Sequence, residues 1–261
     1  MSTLVAFHAH PDDESILTGG TLAHASADGH RVVVVVATGG ELGEVPTGLI
    51  GTGEQLAQRR AGETARAARV LGVHRVELLG YRDSGMAGRP SNDDPSCFWR
   101  ADPALAARRL ADILDQESPD VLTIYDDHGV TGHPDHIQVH RVGALAARLV
   151  RVGRVYEATM DREAIASLVA QAAAAGLPEP PDIDVEHLGS HSAVITTRVD
   201  VGAHLDRKRQ AIAAHASQVS ETSLLLSMPT EAFHAFAATE CYVRGDGRSE
   251  PLAATSLFGP R

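Results

Sequence analysis

At 261 residues, with 43% hydrophobic and 22% charged side chains, the chain is long enough for one sizeable α/β domain with an ordinary core. Its net charge of -11 argues against a nucleic-acid binder, which needs a surplus of Lys and Arg to neutralise phosphates, and the apolar run Val32 to Ala37 is far too short to span a bilayer. Two distant cysteines, Cys97 and Cys241, in no metal-type spacing, and a start "MSTLVAF" without a basic segment leading into an apolar one, point to the cytoplasm and no signal peptide.

Taken in chain order, Val-rich runs alternate with Ala-rich amphipathic ones. "TLVAFHA" reads as a first strand and Glu14 to Asp28 as a helix weakened by Gly19 and Gly20. "HRVVVVVAT" is a second strand, apolar on both faces as a central parallel strand is. A long helix over 53–73 stops at Gly72, and "HRVELLG" is the third strand. Asp102 and Pro103 open a helix over 102–120 as N-cap and first helical residue. "VLTIYD" is the fourth strand, 135–150 a helix, "RVYEA" the fifth strand and 161–176 another helix. A Pro-rich excursion, 176–192, precedes a strand over 193–201, a helix over 203–218 and a short last strand, "ECYVRG".

The alternation predicts an α/β fold, a Rossmann-like open, mostly parallel sheet with helices on both faces and right-handed crossovers. It is read as a single domain, with a core over about 1–175 and a small C-terminal extension over about 176–261. Open α/β sheets bind ligands at the carboxyl ends of their strands. There this chain carries "HPDDE", "GGELGEV", "YRDSGM" and "DDHGVTGHPDH", one after each of the first four strands.

Two clusters carry metal chemistry. His10, Asp13 and His136 form a metal triad, two imidazoles and a carboxylate with a fourth position left open, as catalytic zinc requires. Fe²⁺ suits the same set. Asp12, its neighbour, is left to face a water and to act as general base and acid. His133, on the other side, is placed to stabilise an oxyanion, as an imidazolium. Glu14 either orients a ligand or favours the helix dipole. His8 lies on the same strand face as His10 and reads as a supporting or packing residue. His24, His30, His74, His204 and His234 read as surface or packing residues.

"AHPDDE", "GHPDH" and "RAGE" at Arg60 to Glu63 resemble the LmbE/PIG-L family of zinc N-deacetylases over nearly the whole chain. The resemblance implies zinc on His10, Asp13 and His136, Asp12 as base and acid, and His133 on the oxyanion. It further implies substrate contacts from Glu44, Arg60 and Asp83, with Glu14 and Asp135 in support. "GELGEV" and "YRDSGMAG" look most like the mycothiol-pathway branch. That branch carries Tyr two residues before the first His of "HPDH", where this chain has Thr131. The expected reaction is therefore removal of an N-acyl group from an N-acylated amino sugar or N-acetylglucosaminyl glycoside. The mycothiol-pathway deacetylase or conjugate amidase is the alternative. The expected partner is that small molecule, with no nucleic acid and no membrane, and with homo-oligomerisation left open. A nucleotide-binding module is the competing class, but no G-x-G-x-x-G follows the first strand. A non-catalytic metal- or sugar-binding homologue is the third reading. The loops at 43–54, 84–101 and 176–192 are expected to set substrate choice.

Overall fold

Five consecutive valines, Val32 to Val36, are wholly buried, which only a strand covered on both faces permits. The computed structural model describes residues 1–174, 184–220, 223–245 and 254–258. Its elements run β1 (Thr3–His8), α1 (Asp13–Ile16), α2 (Gly19–Ala27), β2 (Arg31–Thr38), α3 (Leu56–Leu71), β3 (Arg75–Tyr81), α4 (Pro103–Glu117), β4 (Val121–Tyr125), α5 (Gly129–Gly132), α6 (Pro134–Val150), β5 (Arg154–Thr159) and α7 (Arg162–Ala174). Then follow β6 (Thr197–Asp200), α8 (Leu205–Ala213), α9 (Leu224–Ser227), α10 (Thr230–Ala237) and β7 (Thr239–Arg244).

The seven strands make one sheet in the order β3-β2-β1-β4-β5-β7-β6. The first five are parallel, while β7 runs antiparallel to both β5 and β6. From β1 the chain steps outward to β2 and β3, then returns to β4 on the other side. Right-handed crossovers therefore place α2 and α3 on one face and α4 and α6 on the other. Helix α8 packs with α2 and α3, and α4 packs on α6. The point where the direction of winding reverses, between β1 and β4, opens a crevice at their carboxyl ends.

Local signals hold at several ends. The Asp102 carboxylate accepts from the N–H groups of Ala104 and Leu105, at 2.7 and 3.3 Å, and α3 ends at Gly72 in the left-handed region. The expected single helix over Glu14 to Asp28 is instead two. The break falls at Leu17–Thr18, where the Thr18 hydroxyl bonds the Glu14 carbonyl and the His8 ring. Gly20 then lets α2 approach Val201, which a Cβ there would meet at 2.4 Å. The expected strand over 193–201 contracts to β6, and the helix over 203–218 to α8. Helices α9 and α10 answer to no periodicity read in the sequence. The expected excursion at 176–192 lies partly outside the described residues. Its described end, 184–192, is turn structure whose Gly189 N–H bonds the Val130 carbonyl.

Candidate active site

Strand β1 ends at His8, two further residues bring His10 to the crevice, and the chain turns at Pro11. Asp12 follows with φ 105°, in a region that a residue with a Cβ enters at a cost of about 1–3 kcal/mol. Its turn sends Asp13 into the first position of α1. From β4, the short α5 leads to His133, the N-cap of α6, and His136 lies one turn into that helix. The His10 ring sits 4.6 Å from that of His133 and 5.3 Å from that of His136, centroid to centroid. Residues more than a hundred positions apart thus share one buried cluster.

Asp13 Oδ2 lies 3.4 Å from His10 Nδ1 and 3.4 Å from His136 Nε2. Ligands about 2.0–2.1 Å from a tetrahedral ion stand roughly 3.4 Å apart, so this spacing fits such an ion. His136 Nδ1 is buried without a hydrogen-bond partner. Wider groupings of donor atoms within 4.8 Å of one another also occur: His10, His133 and His136, and His10, Asp83, His133 and Asp135. The cluster can therefore hold a metal ion. Asp13 Oδ2, at 3.4 Å from a nitrogen of each, adds a carboxylate beside His10 and His136.

Several groups fix the His10 ring. Its backbone N–H donates to Asp13 Oδ2 at 2.8 Å. Its Nε2 lies 3.2 Å from Asp135 Oδ2 and 3.6 Å from Asp83 Oδ1. Asp135, wholly buried, also accepts from the Ser84 N–H and hydroxyl. Burial opposes charge on His10, but Asp13, Asp135 and Asp83 outweigh it and raise its pKa well above the ordinary value. Asp13 is held well below the usual carboxylate range: burial pushes it up, and the His136 and His10 rings prevail.

His133 differs. Burial first, then the neighbouring His10 and His136, lower its pKa to about 4. The Asp135 N–H donates to its Nδ1 at 3.1 Å, so the proton of the neutral ring sits on Nε2. The lowered pKa favours a neutral N–H donor at His133 over the imidazolium suggested by sequence. Asp12 is raised to about 6, by burial above all, with Arg60 opposing.

His8, the other histidine of the motif, has both nitrogens engaged: Nδ1 with the Tyr125 hydroxyl at 2.8 Å and Nε2 with Thr18 Oγ1 at 3.1 Å. It is wall, and it faces no open space. Glu14 bonds neither His10 nor His136. Its Oε2 accepts from the Asp12 N–H, and its Oε1 from Ser15 and His215. His215, Ser217 and Ser84 carried no local pattern that marked them, since their partners lie far away in sequence.

A model of the PIG-L family, described as GlcNAc-PI de-N-acetylase, matches residues 5–147, which contain both clusters. Over 97% of its length the chain is 39% identical to the 1D-myo-inositol 2-acetamido-2-deoxy-alpha-D-glucopyranoside deacetylase of Acidothermus cellulolyticus, covering 94% of that protein. This chain belongs to the PIG-L family. Its class is that of amide hydrolases. The PIG-L fold by itself does not decide chemistry. The deacetylase of the A40926 pseudoaglycone superposes with a TM-score of 0.61 at 18% identity, over 95% of this chain and 98% of that one. GalB from Pseudomonas putida KT2440, a 4-carboxy-2-hydroxymuconate hydratase, gives 0.59 at 18%, over 97% and 100%. Both likenesses show the fold alone.

In this PIG-L chain a cavity of about 640 Å³ opens above the cluster, lined by His10, Asp12, Glu44, Arg60, Asp83 and His133 among others. Glu44 is exposed at its mouth. Arg60 is buried and largely committed: it donates to the Gly40 and Pro11 carbonyls and lies 3.3 Å from Asp12 Oδ2. Both Asp83 oxygens accept backbone N–H groups, from Gly85 at 2.8 Å and Leu42 at 3.2 Å. Of the loops expected to roof the pocket, those around 43 and 85–91 contribute. No described residue of 176–192 lines it, and Gln218 takes a place there instead.

Proposed function

We propose that the chain is a zinc-dependent deacetylase that removes the acetyl group from an N-acetylglucosaminyl-inositol. The carrying observation is the juxtaposition of Asp12 and His133 on one cavity, beside a two-histidine, one-aspartate set. Similarity over almost the whole chain to a deacetylase of that glycoside supports the substrate. The Thr131 departure, which favoured a more general amino-sugar substrate, stands beside 39% identity over 97% of the chain to such a relative. Thr131 is exposed, and the cavity wall does not include it.

His10, Asp13 and His136 would hold the ion; Fe²⁺ suits the same donors. Zinc supplies Lewis acidity and lowers the pKa of a water to about 7. Asp12, raised toward neutrality, takes the proton of the attacking water and returns it to the departing amine. The neutral His133 offers its Nε2–H to the oxygen that becomes negative as water adds to the carbonyl. Glu44, Asp83 and Gln218 line the part of the cavity where a sugar and its aglycone would rest. Burial of both cysteines, neither paired, fits action in the reducing cytoplasm. Among the described residues no helix is long and apolar enough to cross a membrane.

The test is acetate release by zinc-loaded protein from N-acetylglucosaminyl-inositol, N-acetylglucosamine and diacetylchitobiose. The inositol glycoside should give the highest kcat/KM. Asp12→Ala should lower kcat by about 10²–10⁴-fold with zinc retained. Release of no acetate from any of the three, with zinc verified in the protein, would overturn the proposal.

A further inference from the structure

The peptide unit between Pro11 and Asp12 is gripped at both of its polar ends. Arg60 donates to its carbonyl, that of Pro11, and its N–H, that of Asp12, donates to Glu14 Oε2 at 3.0 Å. Two fixed ends set the plane of that peptide. With it they set the φ of 105° at Asp12 and the direction in which the carboxylate leaves the backbone. Arg60 reaches the same side chain, at 3.3 Å from Oδ2.

Glu14 is itself held. It is wholly buried, and its other oxygen, Oε1, accepts from His215 Nε2 at 2.7 Å and from the Ser15 hydroxyl at 2.7 Å. His215, also without exposure, arrives 201 residues later on the turn that follows α8. That turn is anchored on its own account. Ser217 donates from its N–H and its hydroxyl to the two oxygens of Glu63, on the helix that carries Arg60. The next residue, Gln218, lines the cavity.

We propose that His215 is a positioning residue for the reaction: through Glu14 it holds the Pro11–Asp12 peptide, and so aims the general base. The inference rests on the reading of Asp12 as that base. No metal-ligand role enters, because neither Glu14 nor His215 makes a hydrogen bond or ion pair with His10, Asp13 or His136. It assigns a catalytic consequence to a residue in the C-terminal third of the chain, outside the stretch that the family model matches.

His215→Ala, loaded with zinc, is compared with the wild-type enzyme and with Asp12→Ala on the same glycoside. We expect kcat to fall about 10–100-fold, with KM and the bound zinc per chain within about twofold of wild type. A role confined to stability would lower the melting temperature without that split. His215→Gln and His215→Asn provide the second comparison, and guard against a folding defect in the alanine variant. The Gln amide extends far enough to donate where Nε2 does, and the Asn amide stops short. Gln should restore kcat to within about threefold of wild type, and Asn should not. Equal kcat for Gln and Asn, loss of zinc in step with kcat, or wild-type kcat in His215→Ala while Asp12→Ala is inactive would each overturn the inference and leave the proposed function standing. Wild-type kcat in Asp12→Ala would instead remove the reading on which it rests.

Discussion

Adjacent residues in "HPDDE" do different work because a single backbone turn separates them. Asp12 lies in the left-handed region and projects into the cavity, while Asp13 begins α1 and points at two histidines. The same division occurs in "HPDH", where His133 caps the helix, His136 faces Asp13, and Asp135 turns back to the His10 ring. Asp135 depends on Ser84, whose hydroxyl and N–H both reach it. Ser84→Ala would leave one buried carboxylate oxygen short of a partner and the His10 ring less fixed. Zinc affinity should drop by about 10-fold, read by competition with a chelator. An unchanged affinity would mean that Asp13, Asp83 and the backbone-held Asp135 fix His10 without the Ser84 hydroxyl.

At the scale of elements, close approach of helix to sheet makes the crevice. Helix α6 carries His136, is capped by His133, and lies on β4 through Gly143, where a Cβ would meet Ile124 Cγ2 at 2.3 Å and Phe7 Cδ1 at 3.5 Å. Gly143→Ala therefore overpacks a wholly buried contact instead of gaining helix propensity. It should destabilise the fold by about 1–3 kcal/mol, seen as a lower urea midpoint. A higher midpoint would show that α6 can shift outward freely, against the close packing described. Sequence periodicity located α6, α3 and α4 well, since each has an apolar stripe and a cap or stop. It merged α1 with α2, because the break there comes from Thr18 contacting His8 and from Val201, not from any local breaker stronger than glycine.

For the whole molecule, the C-terminal strands and α8 are tied into the sheet and its helices by a buried ion pair. Glu240 on β7 accepts from Lys208 Nζ at 2.6 Å and from the N–H groups of Gly20 and Thr21 at the start of α2. Lys208→Met would leave the buried Glu240 side chain short of its cation, and should cost about 3–5 kcal/mol in urea unfolding. A loss below 1 kcal/mol would show that the two helix N–H groups suffice. A second tie sits at the other end of the sheet. Glu117 at the end of α4 bonds Arg31 and Arg75, at the starts of β2 and β3, and these pairs lower its pKa from 4.5 to about 2. A carboxylate depressed in the folded state adds stability that is present above about 4.5 and is lost as pH falls toward 2. The gap in urea midpoint between the wild-type protein and Glu117→Gln should be widest above pH 4.5 and close toward pH 2. A gap that stays constant over that window would refute the linkage.

The sequence by itself determined the α/β alternation, the fully covered β2, the caps at Asp102 and Gly72, and the location of both clusters at strand carboxyl ends. Those features follow from periodicity and from residues that act on near neighbours. Only the tertiary structure decided that β7 enters the sheet antiparallel between β5 and β6, that Arg60 grips the Gly40 and Pro11 carbonyls, that burial lowers the pKa of His133, and that His215 backs Glu14. Each of these depends on which distant groups meet in a buried place. A buried polar atom must find its partner wherever the fold brings one, and no local spacing records where that is.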